Sequence, residues 1–499
     1  MTSESNLYSE SLAPIMEEGR ARALKTFHEA AQRVPAYRSF LSENGVNPQT
    51  VRTFDDFQKL PIITKDNYLR KYSLSELIWD GDRFKADLIS VSSGSTGEPF
   101  FWLRDRPQHA EAADIYFEIY KDIFSCDKVP TLLVVCFSMG TWIAGSYTTL
   151  GAMAANERGL KMNIITPAIE LLDAVTVVKR LHNEYEQIIL AGYPPFLKDL
   201  IDKGQEEGID WPKLKVGFTA AGEAVSEELR DYFLSRGTSY SDDPTKVVNI
   251  YGTVDAGIVA NETPLSVILK RLIYKNKTYQ QRFGRGILPT LAQYDPRRKF
   301  VESIDDSIVF TSATGLPLVR YNIKDSGGVV DQLSELIDDP EQFRTALTHY
   351  GLDTSKWVKP FIYIHGRSDF TASLYAVLIY PENIKKAILS TELTNFLTGR
   401  FVMDVKYKSN MDQYLEIAVE LRASAGASEE LRQKVESNII ATLESDNSEY
   451  RRLRSAIGER STPAIILKAS GDQQFFSRHT NKQQWKAKKA QPNSEEGSN

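Results

Sequence analysis

The sequence predicts an α/β protein: a large N-terminal domain with mainly parallel sheets and a β-rich subdomain, then a small α+β domain. Three observations predict it. Between Leu88 and Gly257 short β-branched runs alternate with helical stretches, the pattern of βαβ units whose strands lie parallel. From Gly284 to Gly328 the strands shorten and Gly/Pro turns multiply. After "FIYIHGRSDF" the alternation restarts, as expected of a second unit in a chain of 499 residues, longer than one core usually serves.

The elements follow in order. From about Leu7 to Arg33 apolar residues recur at helical spacing, and Pro35 in "RVPAYR" stops the helix. The strand candidates of the alternating region are "TLLVVCF", "MNIIT", "EQIILAG", "LKVGFTAAG" and "KVVNIYG". Amphipathic pieces at Glu170 to Asn183 and Ser226 to Ser235 lie between them. "SIVFTS" and "LPLVRYN" are strands of the β-rich part. The second unit reads as helix Pro381 to Leu389, strands "VKYKS" and "YLEIAVEL", helix Ser428 to Leu443 and strand "AIILKA". The boundaries are therefore 1–368 for the large domain and 369–485 for the small one. The tail 486–499, polar and without apolar anchors, is expected to be disordered.

Composition excludes several classes. A net charge of −6 leaves no footprint for nucleic acid. Two cysteines, Cys126 and Cys136, are too few for a disulfide framework or a cysteine-rich zinc site, which fits a reducing cytoplasm. The early residues carry acids and no apolar core of a signal peptide. Val129 to Asn156 is uncharged for longer than a bilayer span needs, but Pro130, Gly140, Gly145 and Gly151 break it. A buried strand, a turn and a buried helix are expected there, and no membrane partner. His182, His349 and His365 lack metal-ligand spacing.

"SVSSGSTGEPF" is the first stretch with chemistry in it. Ser93, Ser95 and Thr96, between the flexible Gly94 and Gly97, present hydroxyls and backbone N–H groups without bulk, which suits the oxygens of a phosphate. It is neither a Walker A loop, which needs a lysine, nor G-x-G-x-x-G. By itself it reads equally well as an ordinary Ser/Gly turn.

Further stretches follow in a fixed order: "AGYPPFL", "TAAGEAVSEELR", "YGTVDAG", "PLVRYNIKD" and "IHGRSDF". Together with "SSGSTGEP" they resemble the core motifs of the adenylate-forming superfamily: acyl-CoA synthetases, peptide-synthetase adenylation domains and luciferases. "VPAYR" and "DDFQKLPIITKDNYLR" are similar to the phenylacetate-CoA ligase branch. The resemblance runs from about Leu24 to Lys486.

The resemblance implies a fold whose small domain is mobile, swinging about a hinge at Asp369, and a two-step reaction. A carboxylate attacks the α-phosphorus of ATP, pyrophosphate leaves, and a nucleophile then takes the acyl group from the adenylate. It also implies roles. Ser93, Gly94, Ser95, Thr96 and Gly97 would hold the β- and γ-phosphates. Gly222 and Glu223 would pass backbone along the adenine edge, beside the ring of Tyr251, with Gly252 and Thr253 completing that motif. Asp255 would stand near Mg²⁺, Asp325 would accept the ribose hydroxyls, and Arg367 would meet ribose and phosphate. Lys482 would be the lysine that touches carboxylate and α-phosphate, with Lys486 and Lys488 as competitors.

This chain departs from the superfamily at four places: Glu98 where lysine is frequent, Asp255 where glutamate is usual, Lys324 where glycine is common, and Asn481 before the candidate lysine. Each role also has a plain alternative. Tyr251 ends an apolar strand, Asp255 suits a helix cap, Asp325 suits a surface ion pair, and a lysine-rich tail suits solvent.

Phe137, Trp142, Tyr193, Phe218 and Ala220 are the expected lining of an apolar acyl pocket, although core packing accounts for them equally well. The resulting expectation is a cytoplasmic ATP- and Mg²⁺-dependent acid ligase acting on an aromatic or compact apolar acid with coenzyme A as acceptor. An amine or carrier-protein acceptor, or a nucleotide-binding protein that has lost the chemistry, stands beside it. A homodimer is compatible with this reading.

Overall fold

The computed structural model describes residues 3–92, 100–141, 143–283, 288–367, 372–390, 392–472 and 475. They divide into two compact units, the first running to Arg367 and the second starting at Ala372.

The first unit opens with a helix, Ser3–Arg33. Pro35 does more than end it: it starts the next helix, Pro35–Glu43, from its first position, and Val34 between them is extended. Proline forces its predecessor out of the helical region yet is preorganised for a helix start. A hairpin of β1 (Ala86–Ser92) and β2 (Phe100–Asp105) follows, with Ser92 opposite Phe100.

One sheet of eleven strands forms the centre of the unit. Its parallel half consists of β3 (Thr131–Cys136), β4 (Met162–Ile165), β5 (Gln187–Gly192), β6 (Val216–Ala221) and β7 (Val247–Thr253). These pair in the order β4-β3-β5-β6-β7. The five strands are those expected from "TLLVVCF" to "KVVNIYG". Their parallel pairing has a local cause, because each connection contains a helix: Ile143–Asn156, Leu171–Leu181, Pro194–Glu206 and Glu227–Arg236. Ser226 caps the last of these, accepting the Leu229 N–H at 3.2 Å.

The pattern changes after β7. Only Val254, Asp255 and Ala256 separate Thr253 from β8 (Gly257–Asn261). A crossover needs far more chain than that, so β8 turns back antiparallel. The sheet then continues through β9 (Thr290–Gln293), β13 (Phe361–Arg367), β12 (Leu318–Val330), β11 (Ser307–Ser312) and β10 (Lys299–Ile304), all antiparallel. The β-rich part is thus continuous with the parallel sheet.

β12 is irregular. Arg320 and Lys324 have φ of +51° and +64°, a region that non-glycine residues seldom adopt. At Lys324 the Asn322 side chain accepts the backbone N–H at 2.7 Å and Asp66 meets the ammonium at 3.2 Å. These two contacts hold the backbone where a glycine would sit without strain.

Val129 to Asn156 folds as the buried β3, a turn and helix Ile143–Asn156. No helix among the described residues is long and apolar enough to cross a membrane.

The second unit is α+β. β14 (Ala372–Leu374) and β15 (Val377–Ile379) form a hairpin, and β16 (Leu397–Tyr407), β17 (Gln413–Leu421) and β18 (Ala464–Lys468) form a three-stranded sheet. Leu431, Val435, Ile439 and Leu443 of helix Glu429–Asp446 bury one face in the core of this unit, a helical stripe of three- and four-residue spacing.

Candidate active site

The turn between β7 and β8 is held in place from several sides. Thr253 Oγ1 accepts the Ala256 N–H at 3.1 Å. The buried guanidinium of Arg104, in β2, donates to the Val254 carbonyl, and the Gln108 amide donates to the Ala256 carbonyl at 3.3 Å. Burial pulls Arg104 down to about 10, with Tyr147, Asp255 and Asp105 opposing, so it stays cationic at neutral pH. Gly257 ends the turn at φ +72°, and a Cβ there would press on the Tyr147 hydroxyl at 2.9 Å.

Asp255 sits at the tip of this turn with a side chain only 8% exposed. No helix starts after it, so the helix-cap alternative is excluded. Tyr321 of β12 donates its hydroxyl to Asp255 Oδ2 at 2.5 Å, and Lys65 Nζ stands 3.2 Å from Oδ1. Lys65 comes from a segment fastened to β12: the Ile63 N–H donates to the Arg320 carbonyl at 3.1 Å, and the Asn322 N–H to the Ile63 carbonyl at 2.9 Å.

Four residues before Asp255, at the exit of β7, the Tyr251 hydroxyl donates to Asp325 Oδ2 at 2.6 Å, joining positions 74 residues apart. Asp325 is buried, at 6% exposure, so the surface ion pair is excluded as its setting. In the β12–β13 register it lies opposite Arg367. Side-chain contacts thereby link Tyr251 and Asp255, at and just after the end of β7, to Tyr321 and Asp325 of β12, four strands away in the same sheet, with the backbone of Arg367 beside Asp325.

The stretch after β6 reaches this region through the backbone. Gly222 has φ +86°, and the Glu223 carbonyl accepts the Asn249 side-chain amide at 2.7 Å. Asn249 N–H in turn donates to Glu262 at 2.9 Å. Glu262 is buried and paired with Arg230 at 2.7 Å and Lys270 at 3.1 Å, and Lys270 also donates to the Val225 carbonyl at 2.8 Å. Both ends of the segment from Glu223 to Val225 are therefore tied to one buried ionic cluster.

The expected acyl pocket needs a correction. Phe137 and Tyr193 meet edge to face at 5.1 Å, and Ala221 packs with their cluster. Phe218, however, stacks on Phe233 at 4.9 Å, against the helix on the opposite side of the sheet. Ala220 shares the face of Phe218 because successive strand residues alternate. The β6 residues on the Phe137 side are Thr219 and Ala221, one position over from those expected. A groove of about 580 Å³ between helix Ser3–Arg33 and helix Arg106–Glu118 contains no expected site residue. Its arginines are engaged by carboxylates, Arg22 with Glu18, Arg297 with Asp295 and Arg298 with Glu118.

Ser93, Gly94, Ser95, Thr96, Gly97, Trp142, Asp369, Lys482 and the side chain of Arg367 lie outside the described residues. Lys65, Tyr321, Arg104 and Asn249 were missed as site residues. A sequence signal existed for two of them: Arg104 is a charge inside an apolar strand, and Lys65 lies in "ITKDNYLR". Among the described residues no cluster of three or more His, Cys, Asp or Glu side chains suits a metal ion. Asp255 alone is no resident metal centre, whereas one carboxylate suits a hard cation that arrives with most of its oxygen ligands.

No family model matches the chain. In sequence it is 21% identical over 415 residues to the phenylacetate-coenzyme A ligase of Aromatoleum evansii, covering 81% of each protein. It is 22% identical over 393 residues to the phenylacetate-coenzyme A ligase of Thermus thermophilus, covering 76% of each. In structure it is similar to 2-hydroxyisobutyryl-CoA ligase in complex with 2-HIB-AMP and CoA in the thioesterification state. The TM-score is 0.61 at 17% identity, over 95% of this chain and 89% of that one. The fold, a mixed α/β sheet with a β-rich part, is the fold of that ligase.

Proposed function

We propose that this chain is an AMP-forming acid ligase that makes an acyl-adenylate from ATP and a carboxylic acid and passes the acyl group to coenzyme A. The observation that carries the reading is the contact between Tyr251 and Asp325 at 2.6 Å, with Arg367 opposite Asp325 in the neighbouring strand. Two motif positions distant in sequence are in contact, and a third lies opposite one of them in the strand register. The likeness to phenylacetate-coenzyme A ligases over about four-fifths of the chain supports the same reading.

In the first step a carboxylate oxygen forms a bond to the α-phosphorus, and the bond from that phosphorus to the bridging oxygen breaks as pyrophosphate departs. In the second, the CoA sulfur, having lost its proton, bonds to the acyl carbon and AMP leaves. A free carboxylate has no leaving group that departs readily, which AMP supplies. The difficulty is electrostatic, since an anion must approach a polyanion. Asp325, oriented by Tyr251, accepts ribose hydroxyls and fixes the nucleotide. Asp255, oriented by Tyr321, would hold the Mg²⁺ that accompanies the triphosphate, an ion that would offset the negative charge of the phosphates. The hydroxyl run at 93–97 holds the outer phosphates, Lys482 meets the α-phosphate, and Asp369 is the hinge. Phe137, Tyr193 and Ala221 line an apolar acyl site, which suits an aromatic or compact apolar acid. The cytoplasm is the proposed compartment, with which two free buried cysteines, Cys126 and Cys136, agree.

Carboxylate-dependent exchange of labelled pyrophosphate into ATP, run over a panel of aromatic and aliphatic acids, tests the first step. Mass spectrometry of products with and without CoA tests the second. Exchange with an aromatic acid and a CoA thioester are expected. No exchange with any acid sinks the ligase reading, and an amide or carrier-bound product that ignores CoA moves the acceptor elsewhere.

A further inference from the structure

We infer that Arg104 and Gln108 are positioning residues that clamp the β7–β8 turn and hold Asp255 ready for the divalent cation of a bound nucleotide. The inference deepens the proposed function and rests on it. Asp255 is the middle residue of a three-residue connection. The tip of a hairpin is ordinarily its least restrained part, whereas a carboxylate that meets a cation has to be held in place beforehand.

The clamp grips both neighbours of Asp255. The Arg104 guanidinium donates to the Val254 carbonyl, one residue before it, and Gln108 Nε2 donates to the Ala256 carbonyl, one residue after it, at 3.3 Å. The two grips are joined, since Arg104 Nη1 donates to Gln108 Oε1 at 3.2 Å. They also share one mount. Asp105, next to Arg104, caps helix Arg106–Glu118 by accepting the Gln108 N–H at 2.9 Å, and it accepts the Gly315 N–H at 2.9 Å as well. The Tyr147 hydroxyl donates to the Gln108 carbonyl at 3.1 Å. A Cβ on Gly315 would lie 2.7 Å from Gln108 Oε1, so the amide is packed closely from that side. Tyr321 and Lys65, from other elements, hold the side chain of Asp255 itself. Backbone and carboxylate are thus fixed independently.

A strut alone would not call for a charge. Burying a guanidinium is costly, and a neutral donor avoids that cost. Among the described residues the acceptors of Arg104 are all neutral: the Val254 carbonyl, Gln108 Oε1 and, at 3.4 Å, Ser90 Oγ. Asp255 and Asp105 act on it only through space. Stability does not account for a buried cation without a direct ion pair, but a cation fixed beside Asp255 supports the turn and its carboxylate together.

The test titrates full-length protein calorimetrically with MgATP, with ATP in EDTA and with adenosine. Gln108→Leu is nearly isosteric and removes the amide; Arg104→Met removes the charge and Arg104→Lys keeps it. For Gln108→Leu and Arg104→Met the MgATP dissociation constant is expected to rise about tenfold, while those for metal-free ATP and adenosine stay within about twofold. Arg104→Lys is expected to recover part of the MgATP affinity. Asp255→Asn should show the same selective loss, and adding Gln108→Leu to it should weaken MgATP by less than about twofold more, because the clamp acts through Asp255. Equal weakening of all three ligands, as a merely structural role would give, overturns the inference. So do additive losses in the double variant. Should Arg104→Met fail to fold, Gln108→Leu and the double variant decide. Variants that show the selective loss, in a protein whose wild type exchanges no pyrophosphate with any acid, overturn the ligase reading and support the clamp. Normal exchange in wild type, with MgATP affinity unchanged in Gln108→Leu and Arg104→Met, overturns the clamp alone.

Discussion

Asp325 and Lys482 have different roles in the proposed function, and substitution separates them. Asp325→Ala removes the ribose acceptor, so MgATP and adenosine should weaken together, each by about tenfold or more; titration showing loss for MgATP alone would move Asp325 away from the ribose. Lys482→Ala should abolish adenylate formation while MgATP binding persists, read by exchange and titration side by side. Near-normal exchange would transfer the role to Lys486 or Lys488. The acyl site gives a third contrast. Phe218 is fully buried against Phe233, so Phe218→Ala should cost about 3–5 kcal/mol of stability without altering the order of preference among acids. Ala221→Leu should shift that order toward smaller acids. If Phe218→Ala reorders the acids and Ala221→Leu does not, the face assignment of β6 is wrong.

Much of this was legible at single residues, and some was not. Tyr251 and Asp325 were singled out through short, locally spaced motifs, and the structure joins the two side chains. The choice between Phe218/Ala220 and Thr219/Ala221 was not legible, because β6 is apolar on both faces and buried nearly throughout. Alternation identifies a face only when the other face is polar. Lys65 lies in a stretch the sequence singled out, but its partners Asp255 and Trp102 lie on other elements and could not be read from it.

At the scale of elements, the site depends on the β12–β13 pair, which sets Asp325 opposite Arg367. Gly327 lies two residues from Asp325, where the register slips between Ser326 and Gly327. A Cβ built on Gly327 would overlap the Tyr363 carbonyl oxygen, and backbone cannot step aside as a side chain can. Gly327→Ala should therefore destabilise by about 2 kcal/mol or more and weaken MgATP binding together with thermal stability. An unchanged melting curve would show that the two strands tolerate separation there. The antiparallel turn at β7–β8 is the opposite case. Its three-residue connection dictates the reversal, and Gly257 makes it feasible at φ +72°.

For the whole molecule, acid stability is the observable that the buried ionic cluster controls. Burial alone would raise the Glu227 carboxyl, but Arg230, Lys270 and Arg271 outweigh it and bring it from 4.5 to about 2. Arg230 stands 3.2 Å from Glu227, Lys270 3.4 Å and Arg271 3.0 Å. Because the folded value lies below the unfolded one, the stabilisation is present above about pH 4.5 and is lost as pH falls toward 2. Urea midpoints measured from pH 6 downward should drop more steeply in wild type than in Glu227→Gln over that window. Parallel acid limbs would remove Glu227 from the account. The same cluster ties the segment from Glu223 to Val225, so nucleotide affinity should decline along with stability in that range.

The alternation of strands and helices, the reversal after Thr253, the helix starts at Pro35 and Ser226 and the order of the motifs were all determined by the sequence itself. Each rests on a period, a turn or a cap formed by residues close along the chain. The tertiary structure decided the rest: that the β-rich part joins the parallel sheet, that Thr219 and Ala221 face Phe137, and that Lys65 and Tyr321 share Asp255. Those outcomes depend on which strands become neighbours and with what register, and side chains far apart in the chain acquire their partners only once that order is set.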